Sequence, residues 1–201
     1  MNMKPVTVYS IPIFRTGKWG LSILSLVSLS AATVPECDKL QQHGKLAEAR
    51  TCYASLSNSS DAYARAEGFW GVEEFQNAAD QFKVAADEQA KNANIRVRWG
   101  RLYLERFDKA EAGKHFQEAL QIDDKNAAAY LGLALVASDG FSIKAVEYAQ
   151  KAIELNPKLV EAQELLAFLA LEDNDFAKAT KEADKAIAMS PEALDGMAVR
   201  G

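Results

Sequence analysis

The chain has 201 residues, a formal net charge of −5, 49% hydrophobic residues and only five prolines. This length and composition fit one soluble globular or solenoid unit. The acidic balance disfavours nucleic acid and anionic lipid as partners, because both carry negative charge themselves.

Residues 1–32 have the pattern of a secretory signal peptide. The first 18 residues contain three basic side chains and no acidic one, and an apolar stretch with four serines runs from Trp19 to Ala32. Its 14 residues are too few for a helix to cross a bilayer core of roughly 30 Å. We therefore expect export and cleavage after Ala32, with an uncleaved anchor, a disordered tail or an organellar transit peptide as the alternatives. Cleavage removes three positive charges and leaves −8 on the rest of the chain.

Residues 33–58 predict a degenerate pair of helices. The first helix has room only from about Pro35 to His43, which is too short to be stable alone. Cys37 and Cys52 fall on facing helices if the pair is antiparallel. In an exported protein they can form a disulfide that fastens this weak unit. Two reduced thiols packed as small apolar residues are the alternative.

From residue 59 onward the apolar pattern repeats. Two series of alanines recur at intervals of 34, 33 and 34 residues. The series are Ala78, Ala112, Ala145 and Ala179, and Ala85, Ala119, Ala152 and Ala186. Each period predicts two amphipathic helices joined by a polar turn, most clearly between Val160 and Pro191. Alanines that face one another allow antiparallel helices to approach closely.

In this period and in its motifs the chain resembles tetratricopeptide-repeat proteins, whose pattern is W-x2-L-G-x2-Y, A-x3-F and then P. The second unit has Trp99-Gly100, Tyr103 and Ala112-x3-Phe116 in the matching places. The four units are 59–92, 93–126, 127–159 and 160–193. The resemblance implies an all-α fold, an α-solenoid that follows a right-handed superhelix, with 33–58 as an N-terminal half-repeat or cap.

Residues 194–201 restart the repeat pattern. Met197 takes the tryptophan place, and Arg200-Gly201 take the leucine-glycine place. A finished solenoid ends in a helix with a polar outer face. We therefore expect this sequence to be the N-terminal part of a longer chain.

Motifs that carry catalysis are absent from the sequence. It has no GxxxxGK[ST], GxGxxG, HExxH or CxxC motif, and His43 and His115 are far apart. We expect His115 to be a partly exposed packing residue. The sequence therefore predicts no enzyme, no cofactor and no metal site. The competing hypothesis is that the repeats recruit substrates for an exported hydrolase, such as a metallopeptidase, whose catalytic domain lies in a longer chain.

The resemblance implies a binding groove, because the first helix of each repeat in this family lines a concave side that holds peptides or partner helices. The matching positions are Tyr63, Trp70, Val97, Arg101, Leu104, Leu131, Leu135, Phe168 and Leu171. This mixture of aromatic, aliphatic and charged groups is typical of protein interfaces, although the same residues can pack helix against helix. Arg96, Arg98 and Arg101 form a basic cluster that would suit a carboxylate-bearing partner.

These features predict an interaction scaffold that binds a protein or peptide and is exported, in a bacterium to the periplasm. Self-association through the C-terminal face of the solenoid is a further alternative.

Overall fold

The computed structural model describes residues 32–138, 143–190, 193 and 198–199. Ten α-helices and no strands occur in this part of the chain. The helices are α1 (Val34–Gln42), α2 (Leu46–Leu56), α3 (Ala62–Gly71), α4 (Phe75–Glu88), α5 (Ala93–Glu105), α6 (Lys109–Ile122), α7 (Ala127–Ala137), α8 (Ile143–Leu155), α9 (Val160–Glu172) and α10 (Phe176–Met189). Among the described residues, no helix combines the length and apolar character needed to span a bilayer.

Two of the sequence predictions concern residues outside this described part of the chain. The predicted signal peptide, apart from Ala32, lies outside the described residues. The same holds for the predicted restart at 194–201, apart from residues 198–199.

The helices stack in chain order. Each helix contacts the next one along the chain, and first helices of neighbouring pairs also touch, α1 with α3, α5 with α7 and α7 with α9. Contacts limited to near neighbours are the pattern of a solenoid. The prediction of an all-α fold of stacked helix pairs is confirmed for the described residues.

Polar side chains at the helix starts explain where several helices begin. An Asp or Asn side chain accepts a hydrogen bond from a backbone N–H in the first turn of five helices, and this satisfies a donor that the helix leaves unpaired. These caps are Asp61, Asn92, Asp108, Asn126 and Asp175.

The repeated alanines lie inside the stack. All eight members of the two series are buried. A side chain of this size lets two helix backbones approach closely without leaving a void. The periodic alanines are therefore the contacts on which the stacking depends, as the sequence predicts.

A phenylalanine fills a notch between two glycines. Phe116 of α6 is fully buried. A Cβ added at Gly100 of α5 would lie 2.7 Å from Phe116 Cε1, and one added at Gly132 of α7 would lie 2.3 Å from the same atom. The ring therefore occupies space that any larger residue on either first helix would need. It joins its own helix pair to the next one.

Cys37 of α1 and Cys52 of α2 form a disulfide, with their Cα atoms 5.4 Å apart. Cys37 is buried in a small apolar cluster with Ala49, Tyr53 and Leu56. The short first helix is thus fastened covalently to the second. The structure matches the disulfide prediction and not the alternative of two reduced thiols.

We expect Gly132→Ala to destabilise the fold by about 1–3 kcal/mol, because the added methyl overlaps the buried Phe116 ring. The matched control is Gly113→Ala in α6, where a Cβ would meet only Val136 Cγ1 at 3.6 Å. That change should be neutral or stabilise by up to about 1 kcal/mol through better helix propensity. Urea unfolding measures the stability of both variants. Equal midpoints would contradict the conclusion that Phe116 occupies the space beside Gly132.

We expect the Cys37→Ala, Cys52→Ala variant to lose about 3 kcal/mol, the loop-closure value for a disulfide that spans about 15 residues. Urea unfolding with and without dithiothreitol measures this loss. The reductant should lower the midpoint of the parent chain and leave that of the variant unchanged. A parent chain that is indifferent to the reductant would argue against a stabilising disulfide.

Candidate functional site

A groove of about 690 Å³ opens over the first helices of the N-terminal half of the stack. It crosses α1, α3, α5 and α7, and we call it the first-helix groove. Its lining residues are Asp38, Gln41, Gln42, Tyr53, Glu67, Trp70, Gly71, Glu73, Arg98, Arg101, Leu104, Glu105 and Leu135. Because these residues come from four successive helix pairs, the stacking of the pairs creates the groove.

Four of the nine predicted contact residues line this groove: Trp70, Arg101, Leu104 and Leu135. Tyr63 is half-buried, and its ring packs edge-on against Phe82 with centroids 6.2 Å apart. Burial and the neighbouring Glu67 carboxylate raise the pKa of Tyr63, so the hydroxyl stays neutral at physiological pH.

Four predicted residues need separate comment. Val97 is 4% exposed and packs with Ala112 and Phe116, whereas Leu131 is fully buried in the core of the next pairs. Both are core residues and not the groove residues that the sequence predicts, because helices of their own pair and of the next pair cover them. Phe168, 44% exposed, and Leu171, partly exposed, lie on α9, outside the residues that line the first-helix groove.

A buried ion pair lies beside the groove. Glu67 is 1% exposed, and its carboxylate accepts from Arg98 through both oxygens, with Arg98 Nε 2.6 Å from Glu67 Oε1. Burial by itself would lower the pKa of Arg98, but the Glu67 carboxylate raises it above its usual value. A two-point, charge-assisted pair of this kind fixes the orientation of both side chains.

The Arg98–Glu67 pair in turn positions Trp70. The Arg98 guanidinium lies over the indole ring of Trp70, 4.5 Å from its centroid. The Trp70 Nε1–H donates to a carboxylate oxygen of Glu105. One face and the polar edge of the indole are therefore held by the protein, and such a fixed aromatic group is suited to anchoring a ligand.

At the α1 side of the groove, Tyr53 is similarly held. Its hydroxyl lies 2.5 Å from Asp38 Oδ1 and 3.0 Å from Gln41 Oε1. Burial and the hydrogen bond to Asp38 raise the pKa of Tyr53, so it remains a neutral donor. The disulfide-linked pair α1–α2 thus supplies one wall of the groove.

The three clustered arginines each face a carboxylate of this chain. Besides the Arg98–Glu67 pair, Arg96 lies 3.2 Å from Glu118 and Arg101 lies 2.6 Å from Glu161. The Arg101–Glu161 pair joins α5 to α9 past the intervening α7. These pairings weaken the argument for a carboxylate-bearing partner, because each guanidinium group already has a carboxylate partner within the chain. Glu161 lies 60 residues from Arg101, and no local sequence pattern reveals such a pair.

His115 is more buried than the sequence predicts, with 3% of its surface exposed. Its ring stacks on Trp99 with centroids 4.0 Å apart and on Tyr103 at 5.5 Å. Burial lowers the pKa of His115, so the ring is neutral at physiological pH. This aromatic stack belongs to the core and not to the groove.

The groove lining has a mixed chemical character. It presents indole, aliphatic, amide and carboxylate groups, and no histidine or cysteine lines it. Across residues 32–138 and 143–190, no cluster of three or more His, Cys, Asp or Glu side chains is arranged to hold a metal ion.

We expect Arg98→Met to destabilise the protein by about 2–3 kcal/mol. The change leaves the buried Glu67 carboxylate without its cationic partner. Removing one partner of a fully buried ion pair costs more than this, but the Arg98 side chain is 32% exposed. The matched control is Arg101→Met, whose partner Glu161 is 46% exposed, so that loss should stay below about 1 kcal/mol. Urea unfolding at neutral pH measures both. Equal losses would show that burial of Glu67 contributes little.

No protein-family model and no curated protein matches the sequence. Solved structures do match. TTC0263, a thermophilic TPR protein of Thermus thermophilus, superimposes with a TM-score of 0.66 at 19% identity over 82% of this chain and 93% of that one. PilW, a widely conserved type IV pilus biogenesis factor, gives 0.61 at 17% identity over 83% and 86%.

A third structure is YrrB, described as a TPR protein with an unusual peptide-binding site. Its TM-score is 0.57 at 18% identity, and the match covers 83% of this chain and 89% of that one. These likenesses agree with the 34-residue period, the paired helices and the contacts between neighbouring pairs. The chain therefore has the fold of tetratricopeptide-repeat proteins.

Proposed function

We propose that this chain is a non-enzymatic interaction scaffold that holds a peptide or helix of a partner protein in the first-helix groove. The observation that carries the proposal is the fixed indole of Trp70 inside a groove of about 690 Å³. A side chain already held in place loses little conformational freedom on binding. Aromatic anchors in partly enclosed sites supply much of the affinity of protein interfaces.

The apolar and polar groups of the groove are arranged as in an interface. Leu104 and Leu135 lie with Trp70 on successive first helices. Both are half-buried, so part of their apolar surface remains accessible to a ligand. Amides and carboxylates line the same groove. A hydrophobic centre with a polar rim is typical of sites that bind proteins. The peptide-binding site named for YrrB supports the same use of this fold.

The proposal includes export, with a place in the bacterial cell envelope or periplasm. Two features support it. Residues 1–32 have a basic start, an apolar stretch and small residues before the expected cleavage point. The Cys37–Cys52 disulfide is of a kind that persists in oxidising compartments and is rare in the cytosol. The description of PilW as a pilus biogenesis factor is consistent with such a place.

We expect the Leu104→Ala, Leu135→Ala variant to bind groove ligands at least about tenfold more weakly, because truncating two central apolar contacts removes more than about 1.4 kcal/mol. The ligands are peptides selected on the parent protein from a random library, and fluorescence anisotropy measures their affinities. The matched control is Phe107→Ala, Phe176→Ala, which removes two exposed aromatic residues outside the groove. Circular dichroism verifies that both variants fold. Equal affinities for the parent and the groove variant would contradict the proposed function.

A further inference from the structure

The first-helix groove carries more negative than positive charge. Its lining includes the carboxylates of Asp38, Glu67, Glu73 and Glu105 and only two guanidinium groups, those of Arg98 and Arg101, a net charge of −2. The whole chain is acidic as well, with a net charge of −5. The field at the groove therefore attracts cations and repels anions.

Both guanidinium groups already have carboxylate partners within the chain. Arg98 is bonded through two nitrogens to the buried Glu67 and covers one face of Trp70. Arg101 is 2.6 Å from Glu161. An incoming carboxylate would compete at each guanidinium group with a carboxylate of the protein itself, which reduces the net gain in interaction energy.

The exposed carboxylates of the groove, by contrast, remain available to a ligand. Glu73 and Glu105 are exposed, and the one hydrogen bond from Trp70 to Glu105 uses a single site of a group that has about four acceptor sites. Glu73 lies in the turn after α3 with a φ of 68°, where the backbone turns the chain back along the stack. These two carboxylates line the same groove as Trp70, Leu104 and Leu135.

From this charge complementarity we propose that the groove takes a basic amphipathic segment of a partner protein. Lysine or arginine side chains of the segment meet Glu73 and Glu105, and its apolar side chains cover Trp70, Leu104 and Leu135. The inference rests on the proposed function and names the chemistry of the partner. Charge complementarity of this kind selects among partners and speeds association more than it adds affinity.

The test uses three fluorescein-labelled amphipathic peptides of about 16 residues, roughly 24 Å long as helices. They share the same leucine and phenylalanine positions and carry lysine, glutamine or glutamate at every polar position. Affinities are measured by anisotropy in about 0.15 M NaCl, where the Debye length is about 8 Å and distant charges are screened. The groove variant is Glu73→Gln, Glu105→Gln. The matched control is Asp87→Asn, Glu147→Gln, which removes the same charge from exposed sites on the second helices α4 and α8.

We expect the parent protein and the control to bind the lysine peptide about five- to tenfold more tightly than the glutamine peptide, since several partly exposed charge contacts contribute. The glutamate peptide should bind most weakly. In the groove variant the preference for lysine should fall to within about twofold.

Four other results would overturn the inference. In the first, all three peptides bind equally and the Leu104→Ala, Leu135→Ala variant still loses affinity. The groove would then bind peptides, as proposed, but without a preference for charge. Equal loss of the lysine preference in the groove variant and the control would assign it to overall charge. Sedimentation could show that the protein self-associates and that the groove variant does not. The groove would then bind a second copy of this chain. Binding that depends on neither set of groove residues would overturn the proposed function too.

Discussion

Close approach of helix backbones is the constraint on which this structure depends. The buried alanines of both series, and the glycines that make room for Phe116, let the helices approach closely. Packing at this density fixes the distance between neighbouring pairs and not only their order. Because that distance is fixed, α1, α3, α5 and α7 lie side by side and form one groove from residues far apart in the sequence.

The fold was largely predictable from the sequence because its cause is periodic and local. Alanines at intervals of 33 and 34 residues mark positions where a larger residue would not fit, and the alternating helices follow from the apolar spacing. The candidate site was less predictable. Helical spacing identifies one face of a helix, but it does not show how much of that face the next pair covers. Val97 and Leu131 are buried in the core for that reason, whereas Trp70, Leu104 and Leu135 line the groove.

The charge of the groove was the property that the sequence predicted least well. Three arginines within six residues suggest a basic surface, yet Glu67, Glu118 and Glu161 approach them from three other helices. A buried ion pair such as Arg98–Glu67 is weak evidence for stability, because desolvation of both charges offsets their attraction. Its structural effect here is clearer. It holds a guanidinium against Trp70 and leaves the rim of the groove acidic.

The Arg101–Glu161 pair has a mechanical consequence. It connects α5 with α9 directly, while α7 between them packs against both. The pair is partly in water, with 29% and 46% of the two side chains exposed, so dissolved ions weaken it. The alanine contacts, by contrast, are dry and do not respond to ions in this way. Dissolved salt therefore weakens the link between α5 and α9 while the alanine packing between neighbouring pairs stays in place.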